Sequence, residues 1–273
     1  MNPVRVSAVS YLNTRPLVHG IERLPRFQVR YDIPADCARL LHEHAVDIGL
    51  IPSIEYLRGD AYRIVPDLAI ASRGPVASVA IFTTKPMADV RSIAMDTSSR
   101  TSVALTRVLC ARQFKIAPRF ESRGPDIDDM LAHADAALII GDNALFQSAV
   151  VGHQSPVTSR QSRVEKIDLG EEWTRMTGLP FVYAFWAGRA DALTADDVEA
   201  LQRARDEGVR IPEQLAREFL KDAPVERQEI GGRYLRQNIK YHLGADERAA
   251  LEAFYRYAAE VGVVTAARPP MFF

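Results

Sequence analysis

Cysteine is scarce: there are two in 273 residues, too few for a disulfide framework, and Cys37 and Cys110 each lie in an apolar helical pattern without metal-ligand spacing. Both read as packed thiols. Net charge is also lacking. The 34 Lys and Arg against 35 Asp and Glu leave a formal charge of −1, spread without blocks, so no basic face offers itself to nucleic acid or to an anionic membrane. No apolar run reaches the about 18 residues of a membrane span, and no charged n-region, apolar h-region and cleavage site precede the first strand pattern. Internal repeats and low-complexity segments are absent as well. Together these absences predict a cytoplasmic protein with a small-molecule ligand and no nucleic-acid or membrane partner.

What is present is alternation. A strand at Val4 to Val9 leads to a helix near Arg15 to Arg23, and a strand at Phe27 to Ile33 leads to a helix near Ala35 to Ala45. A buried strand Asp47 to Ile51, a short helix from Ser53 and a strand at Arg63 to Ile70 follow. This βαβα order implies a mainly parallel sheet flanked by helices. Two long β-rich runs, Val76 to Thr83 and Leu179 to Trp186, bracket a second series with strands near Ile93, Ala117 to Glu121 and Ala136 to Ile140. The expectation is an α/β chain of two lobes: 1–86 opens the first, 87–176 is inserted as the second, and 177–273 returns to the first with C-terminal helices. The cleft between such lobes is where a ligand is expected. The tail Arg268-Pro269-Pro270-Met271-Phe272-Phe273 cannot be helical through its prolines. It docks either on its own lobe or on a neighbouring subunit, the latter giving a homodimer.

Two strand-to-helix junctions are rich in hydroxyl groups. Asp96-Thr97-Ser98-Ser99-Arg100-Thr101-Ser102 precedes a helix carrying Val103, Leu105, Val108 and Leu109, and Ser10-Tyr11-Leu12-Asn13-Thr14 precedes Pro16-Leu17-Val18. Such a junction gathers free backbone N–H groups and side-chain donors at one point, which makes an anion cradle. An ordinary Ser/Thr N-cap without a ligand has the same composition; the second junction of the same character favours the cradle.

These two junctions, with Asp47-Ile48-Gly49-Leu50-Ile51-Pro52-Ser53-Ile54-Glu55-Tyr56, Ile140-Gly141-Asp142-Asn143-Ala144-Leu145 and Thr177-Gly178-Leu179-Pro180-Phe181-Val182, resemble the chorismate dehydratase family over essentially the whole chain. The resemblance implies the two-lobed periplasmic-binding-protein-like fold of the second type. It also implies elimination of water from chorismate to give 3-[(1-carboxyvinyl)oxy]benzoate in the futalosine route to menaquinone, with no metal and no cofactor. A sister enzyme of that route, which forms dihydroxynaphthoate, is similar in fold and carries a His where this chain has Gly141. None of the six His, namely His19, His42, His44, His133, His153 and His242, falls in a cleft motif, which favours the dehydratase over its sister.

Chorismate has two carboxylates, and donors from the two junctions on opposite lobes would hold them. On this reading Thr97, Ser98 and Thr101 donate to one carboxylate, while Arg100 either joins them or points outward. Ser10, Tyr11, Thr14, Ser53, Gly141, Pro180 and Phe181 are the further substrate contacts. Asn13 holds the ring or the leaving hydroxyl, and Ser78 is another neutral donor. Three groups compete as the base that removes the C3 proton: Asp142, which equally suits a helix cap; Glu55, which equally suits a first-turn dipole partner; and the enolpyruvyl carboxylate of the substrate itself. The motifs are rich in Ser, Thr and Asn and poor in titratable groups, which favours the last. The rival outside catalysis is a binding protein of the same fold, since fold alone does not separate the two.

Overall fold

A computed structural model describes residues 2–59, 61–147 and 164–273. His153 lies outside the described residues. In chain order, β1 (Val4–Val9) runs through a 3₁₀ turn at Leu12–Thr14 into α1 (Arg15–Val18), and β2 (Phe27–Asp32) is followed by α2 (Pro34–His42). β3 (Ile48–Pro52), a 3₁₀ turn at Ser53–Leu57, β4 (Arg63–Ile64) and β5 (Ile70–Ser72) complete the first stretch. Next come β6 (Val79–Thr83), β7 (Ser92–Asp96), α3 (Arg100–Leu109), β8 (Arg119–Arg123), α4 (Ile127–His133), β9 (Ala136–Ile140) and α5 (Gly141–Phe146). After the next described residues, β10 (Glu165–Asp168), α6 (Leu169–Thr177) and β11 (Phe181–Gly188) lead to α7 (Ala195–Gly208), α8 (Pro212–Phe219), α9 (Val225–Gln237) and α10 (Ala245–Glu260).

The strands form two sheets, one ordered β2-β1-β3-β11-β4 with β5 beside β11, the other β10-β6-β9-β7-β8. Both are mixed. β1 is parallel to β2 and β3, and β7 is parallel to β8 and β9, as the βαβ pattern requires. β11 runs antiparallel to β3, β4 and β5, and β6 runs antiparallel to β9 and β10. The antiparallel members are the β-rich runs on either side of the inserted segment, so each sheet is less purely parallel than expected. Because β6 is hydrogen-bonded to β9, it belongs to the second sheet although it falls within 1–86; the chain leaves the first sheet after Ser72 and joins the second at Val79.

Other boundaries moved for local reasons. The first helix stops at Val18 because Gly20 turns the chain with φ +80°. The strand expected over Arg63 to Ile70 breaks into β4 and β5 around Pro66 and Asp67, the latter at φ +62°. Thr194 caps α7: its Oγ1 accepts from the Asp197 N–H, and Asp197 accepts from the Thr194 N–H.

The larger of two apolar clusters runs through both sheets, with Trp173, Phe181 and Phe254 packed edge to face within it, and the smaller gathers Phe82, Met130 and Ile139. Cys37 and Cys110 are buried free thiols, and desolvation pushes both up to about 12, which keeps them protonated. The tail docks on its own chain: the Ile64 N–H donates to the Met271 carbonyl at 2.8 Å, and the Phe273 N–H to the Ile64 carbonyl at 3.1 Å. Among the described residues no helix is long and apolar enough to cross a membrane.

Candidate active site between the two sheets

The C-terminal ends of β1, β3 and β9 converge on a cavity lined by Val9, Pro52 and Ile140, the edge at which parallel strands present ligand sites. It holds about 50 Å³, room for one or two waters at roughly 30 Å³ each. Its polar lining is Tyr11, Asn13, Ser78, Ser99, Ser102 and Tyr183; no carboxylate, His or Lys among the described residues lines it.

Asn13 lies in the 3₁₀ turn after β1, and Ser78 lies just before β6. Tyr234 of α9 joins them: Asn13 Nδ2 donates to Tyr234 Oη at 3.1 Å, and Tyr234 Oη donates to Ser78 Oγ at 2.7 Å. Tyr241 Oη donates to the Asn13 carbonyl at 3.0 Å and pins the turn. Burial pushes the Tyr234 phenol up, so it stays protonated as a donor. Asn13 Oδ1 is buried without a hydrogen-bond partner among the described residues, and an unsatisfied buried acceptor costs about 1–3 kcal/mol. Ser78 Oγ already accepts from Tyr234, so its own proton is free to donate. The pair therefore presents one acceptor and one donor to a ligand.

The N-terminus of α3 supplies further donors. Ser99 is the N-cap, its Oγ accepting from the Ser102 N–H and lying 3.1 Å from Ser102 Oγ. Both hydroxyls face the cavity. The neighbouring positions turn away, since each helical residue rotates about 100°. Thr101 Oγ1 accepts from the Ile54 N–H at 3.1 Å and lies 3.4 Å from Ser53 Oγ, which donates to the Val182 carbonyl. Thr101 and Ser53 thus join the lobes and do not line the cavity, and Thr97, Ser98 and Arg100 line an outer groove. Arg100 is half-exposed and lies 3.6 Å from Glu55.

The first junction departs from its expected role. The Leu12 N–H at the start of the 3₁₀ turn donates to both Asp142 carboxylate oxygens at 3.2 and 3.3 Å, so the anion position there is filled by the protein's own side chain. Asp142 does not cap α5, whose N-cap is Ile140. Desolvation lifts its pKa to about 6, opposed by the Leu12 N–H and the Arg15 charge. It lines a separate outer depression with Phe146 and Leu220. Glu55 is buried; burial alone would raise its pKa, but the His42 hydrogen bond and the Arg58 and Arg100 charges hold it below the usual range. Neither carboxylate faces the cavity.

Gly141 has φ +63°, and a Cβ there would lie 2.8 Å from the Tyr11 ring. A His at this position would displace Tyr11. The Gly141 N–H donates to the Ser78 carbonyl at 2.8 Å. Ser10 is half-buried with its N–H on the Asp32 carbonyl, and Thr14 is buried with Oγ1 unpartnered, neither lining the cavity. The Pro180 carbonyl accepts from Trp173 Nε1 at 2.9 Å and Phe181 packs edge to face on Trp173, so both belong to the core. Tyr183, Tyr234, Ser99 and Ser102 were not singled out from the sequence. Ser99 and Ser102 stand in the expected motif one position from those chosen; Tyr234 carries no local signal.

Residues 4–260 match the protein family described as menaquinone biosynthesis. The chain belongs to that family. This family member is 33% identical over 283 residues to the chorismate dehydratase of Thermus thermophilus, across 100% of this chain and 99% of the relative. It is 25% identical to the chorismate dehydratase of Campylobacter jejuni, over 90% of this chain and 89% of that one. Among solved structures, a protein of Archaeoglobus fulgidus superposes with a TM-score of 0.71 at 16% identity, covering 96% of this chain and 99% of that one. An alkanesulfonate-binding protein of Xanthomonas axonopodis superposes at 0.66 and 15% identity, covering 96% and 93%. These structures establish the periplasmic-binding-protein-like fold. None of the described His residues lines the cavity; His42, for example, bonds Tyr62 and Glu55. Among the described residues no group of three or more His, Cys, Asp or Glu is placed to hold a metal ion.

Proposed function

We propose that this chain is a chorismate dehydratase, a hydro-lyase that removes the C3 proton and the C4 hydroxyl of chorismate as water and leaves an aromatic ring. The observation that carries this reading beyond family membership is the neutral polar cavity with the unpartnered Asn13 Oδ1 opposite the Ser78 hydroxyl. The ring carboxylate sits against Ser99, Ser102 and the first-turn N–H groups of α3. C3 is conjugated through the ring alkene to that carboxylate, so donors there stabilise the enolate-like charge as the C3–H bond breaks. With Asp142 turned to Leu12 and Glu55 ion-paired, the enolpyruvyl carboxylate of the substrate takes the proton. Asn13 and Ser78 hold the C4 oxygen, and Ser78, backed by the Tyr234 hydroxyl, donates to it as the C–O bond breaks. The electron pair from C3 forms the C3–C4 double bond.

The ring is larger than a 50 Å³ cavity, since small-molecule sites run to roughly 300–1,000 Å³; the sheets therefore part to admit it. Pure protein mixed with chorismate and no additive is expected to develop aromatic absorbance. Unchanged chorismate together with a thermal shift would instead mark a non-catalytic carboxylate-binding protein. An analogue amidated on the enolpyruvyl carboxylate is expected to bind without eliminating. Ready elimination from it would overturn the substrate-assisted step.

A further inference from the structure

Beside the cavity lies an outer groove of about 750 Å³. A single layer of backbone separates the two, and neighbouring residues face opposite ways across it: Pro34 and Ser99 line the cavity, Ala35 and Ser98 the groove. The layer is closed where the Ala35 N–H donates to the Ser98 carbonyl at 2.9 Å and where Tyr11 Oη comes within 3.5 Å of Ser98 Oγ. Both contacts join residues of different lobes, so parting the lobes makes one space of the two.

The groove is positive. Arg58, Arg100, Arg107 and Arg123 line it against one carboxylate, Asp96. Arg100 and Arg107 are seven residues apart on α3 and share a face. Arg58 and Arg100 share Glu55, at 2.7 and 3.6 Å, and Arg123 is answered by Asp129 and Glu121. Arg107 is exposed, has no ion pair among the described residues, and holds its guanidinium 4.6 Å from the Phe120 ring centroid. Asp96 is buried against the Ser98 N–H, and desolvation raises its pKa, which weakens it as a counter-charge.

We propose that the groove is an antechamber in which a small dicarboxylate docks on Arg100 and Arg107 before the layer at Ser98 opens and admits it to the cavity. The assignment takes its ligand from the dehydratase reading above and adds the route. Such a station accelerates capture and leaves the chemical step alone.

The test is the association rate constant of chorismate, followed in stopped flow by intrinsic protein fluorescence. Ionic strength is set at about 0.01 M and about 1 M, between which the Debye length falls from about 30 to 3 Å. Arg107→Gln is expected to slow association about threefold to tenfold at low salt, and Arg107→Glu more. The difference should vanish at high salt, kcat should stay at the parental value, and Arg107→Lys should restore most of the rate. Parental association by both variants at low salt, a loss that persists at high salt, or no rescue by Lys would overturn the antechamber. If the parent leaves chorismate unbound and unchanged, the dehydratase reading fails; the same salt comparison with isophthalate, a dicarboxylate that cannot lose water, then decides the groove separately.

Discussion

The two hydroxyl-rich junctions are alike in composition and opposite in use. At Ser10 to Thr14 the anion position is taken by Asp142 from the other lobe, while Asn13 turns its side chain to the cavity. At Asp96 to Ser102 the helix start remains open, with Ser99 and Ser102 facing inward and Thr97, Ser98 and Arg100 facing the groove. A cradle is thus defined by what already sits in it as much as by its donors. Both junctions join the lobes, the first at its anion position and the second through Thr101 and the Ser98 carbonyl, but only the second keeps hydroxyls of its helix start turned to the cavity.

Four substitutions would break or sharpen this contrast. The largest effect is expected from Asn13→Ala, which removes the unpartnered acceptor of the cavity lining. Its kcat should fall by about 10²-fold or more, with thermal stability near the parent, as read by steady-state kinetics and a melting curve; near-parental turnover would move the site away from the first junction. Ser102→Ala follows. Losing a hydrogen bond to a charged group costs about 1.5–3 kcal/mol, or roughly tenfold to a hundredfold in chorismate affinity, measurable by calorimetry with isophthalate or by KM. Ser98→Ala, facing the groove, should cost clearly less; equal losses would erase the inward and outward division of the α3 start.

Asp142→Asn is expected to have the smallest effect on turnover, less than tenfold, against the about 10²–10⁴-fold loss of a true general base. Its effect on stability has a definite sign. The folded pKa is raised to about 6, so ionised Asp142 opposes folding above that pH, and this cost disappears below the unfolded value of about 4. Asn can still accept from the Leu12 N–H. Denaturant unfolding should therefore find Asp142→Asn more stable than the parent by about 2 kcal/mol at pH 7.5 and equal to it at about pH 3. Equal stability at both values would show that the carboxylate is solvated.

Much of the fold was legible because strand and helix periods alternate plainly from Val4 to Ile140. The crossing point was misplaced by one strand: Val76 to Thr83 is apolar apart from Ser78 and Thr83, and periodicity does not say which sheet such a strand joins. Only pairing with β9 assigns it. At the start of α3 the cavity lining was legible to within one residue. Ser98 and Thr101 were favoured where Ser99 and Ser102 face the cavity, and a shift of one position at a helix start rotates the chosen face by about 100°. Tyr234 was not legible at all, since it lies 221 residues from Asn13 and reads as an ordinary buried aromatic on a helix. Pro180 and Phe181 misled for the opposite reason: a distinctive segment need not face the ligand, and this one builds the contact with Trp173.

The hydrogen bonds between the lobes also set a toll on occupancy. Admitting a ring means breaking at least the Ala35–Ser98, Leu12–Asp142 and Ile54–Thr101 hydrogen bonds between lobes. At about 1 kcal/mol net for each, these three bonds alone would lower an open form to about one molecule in a hundred. Apparent affinity for any ligand is lowered by the same factor, so a weak or ill-fitting carboxylate cannot recover the cost of opening. The latch between the sheets is in this sense a filter, selecting by how much binding free energy a molecule returns once it is inside.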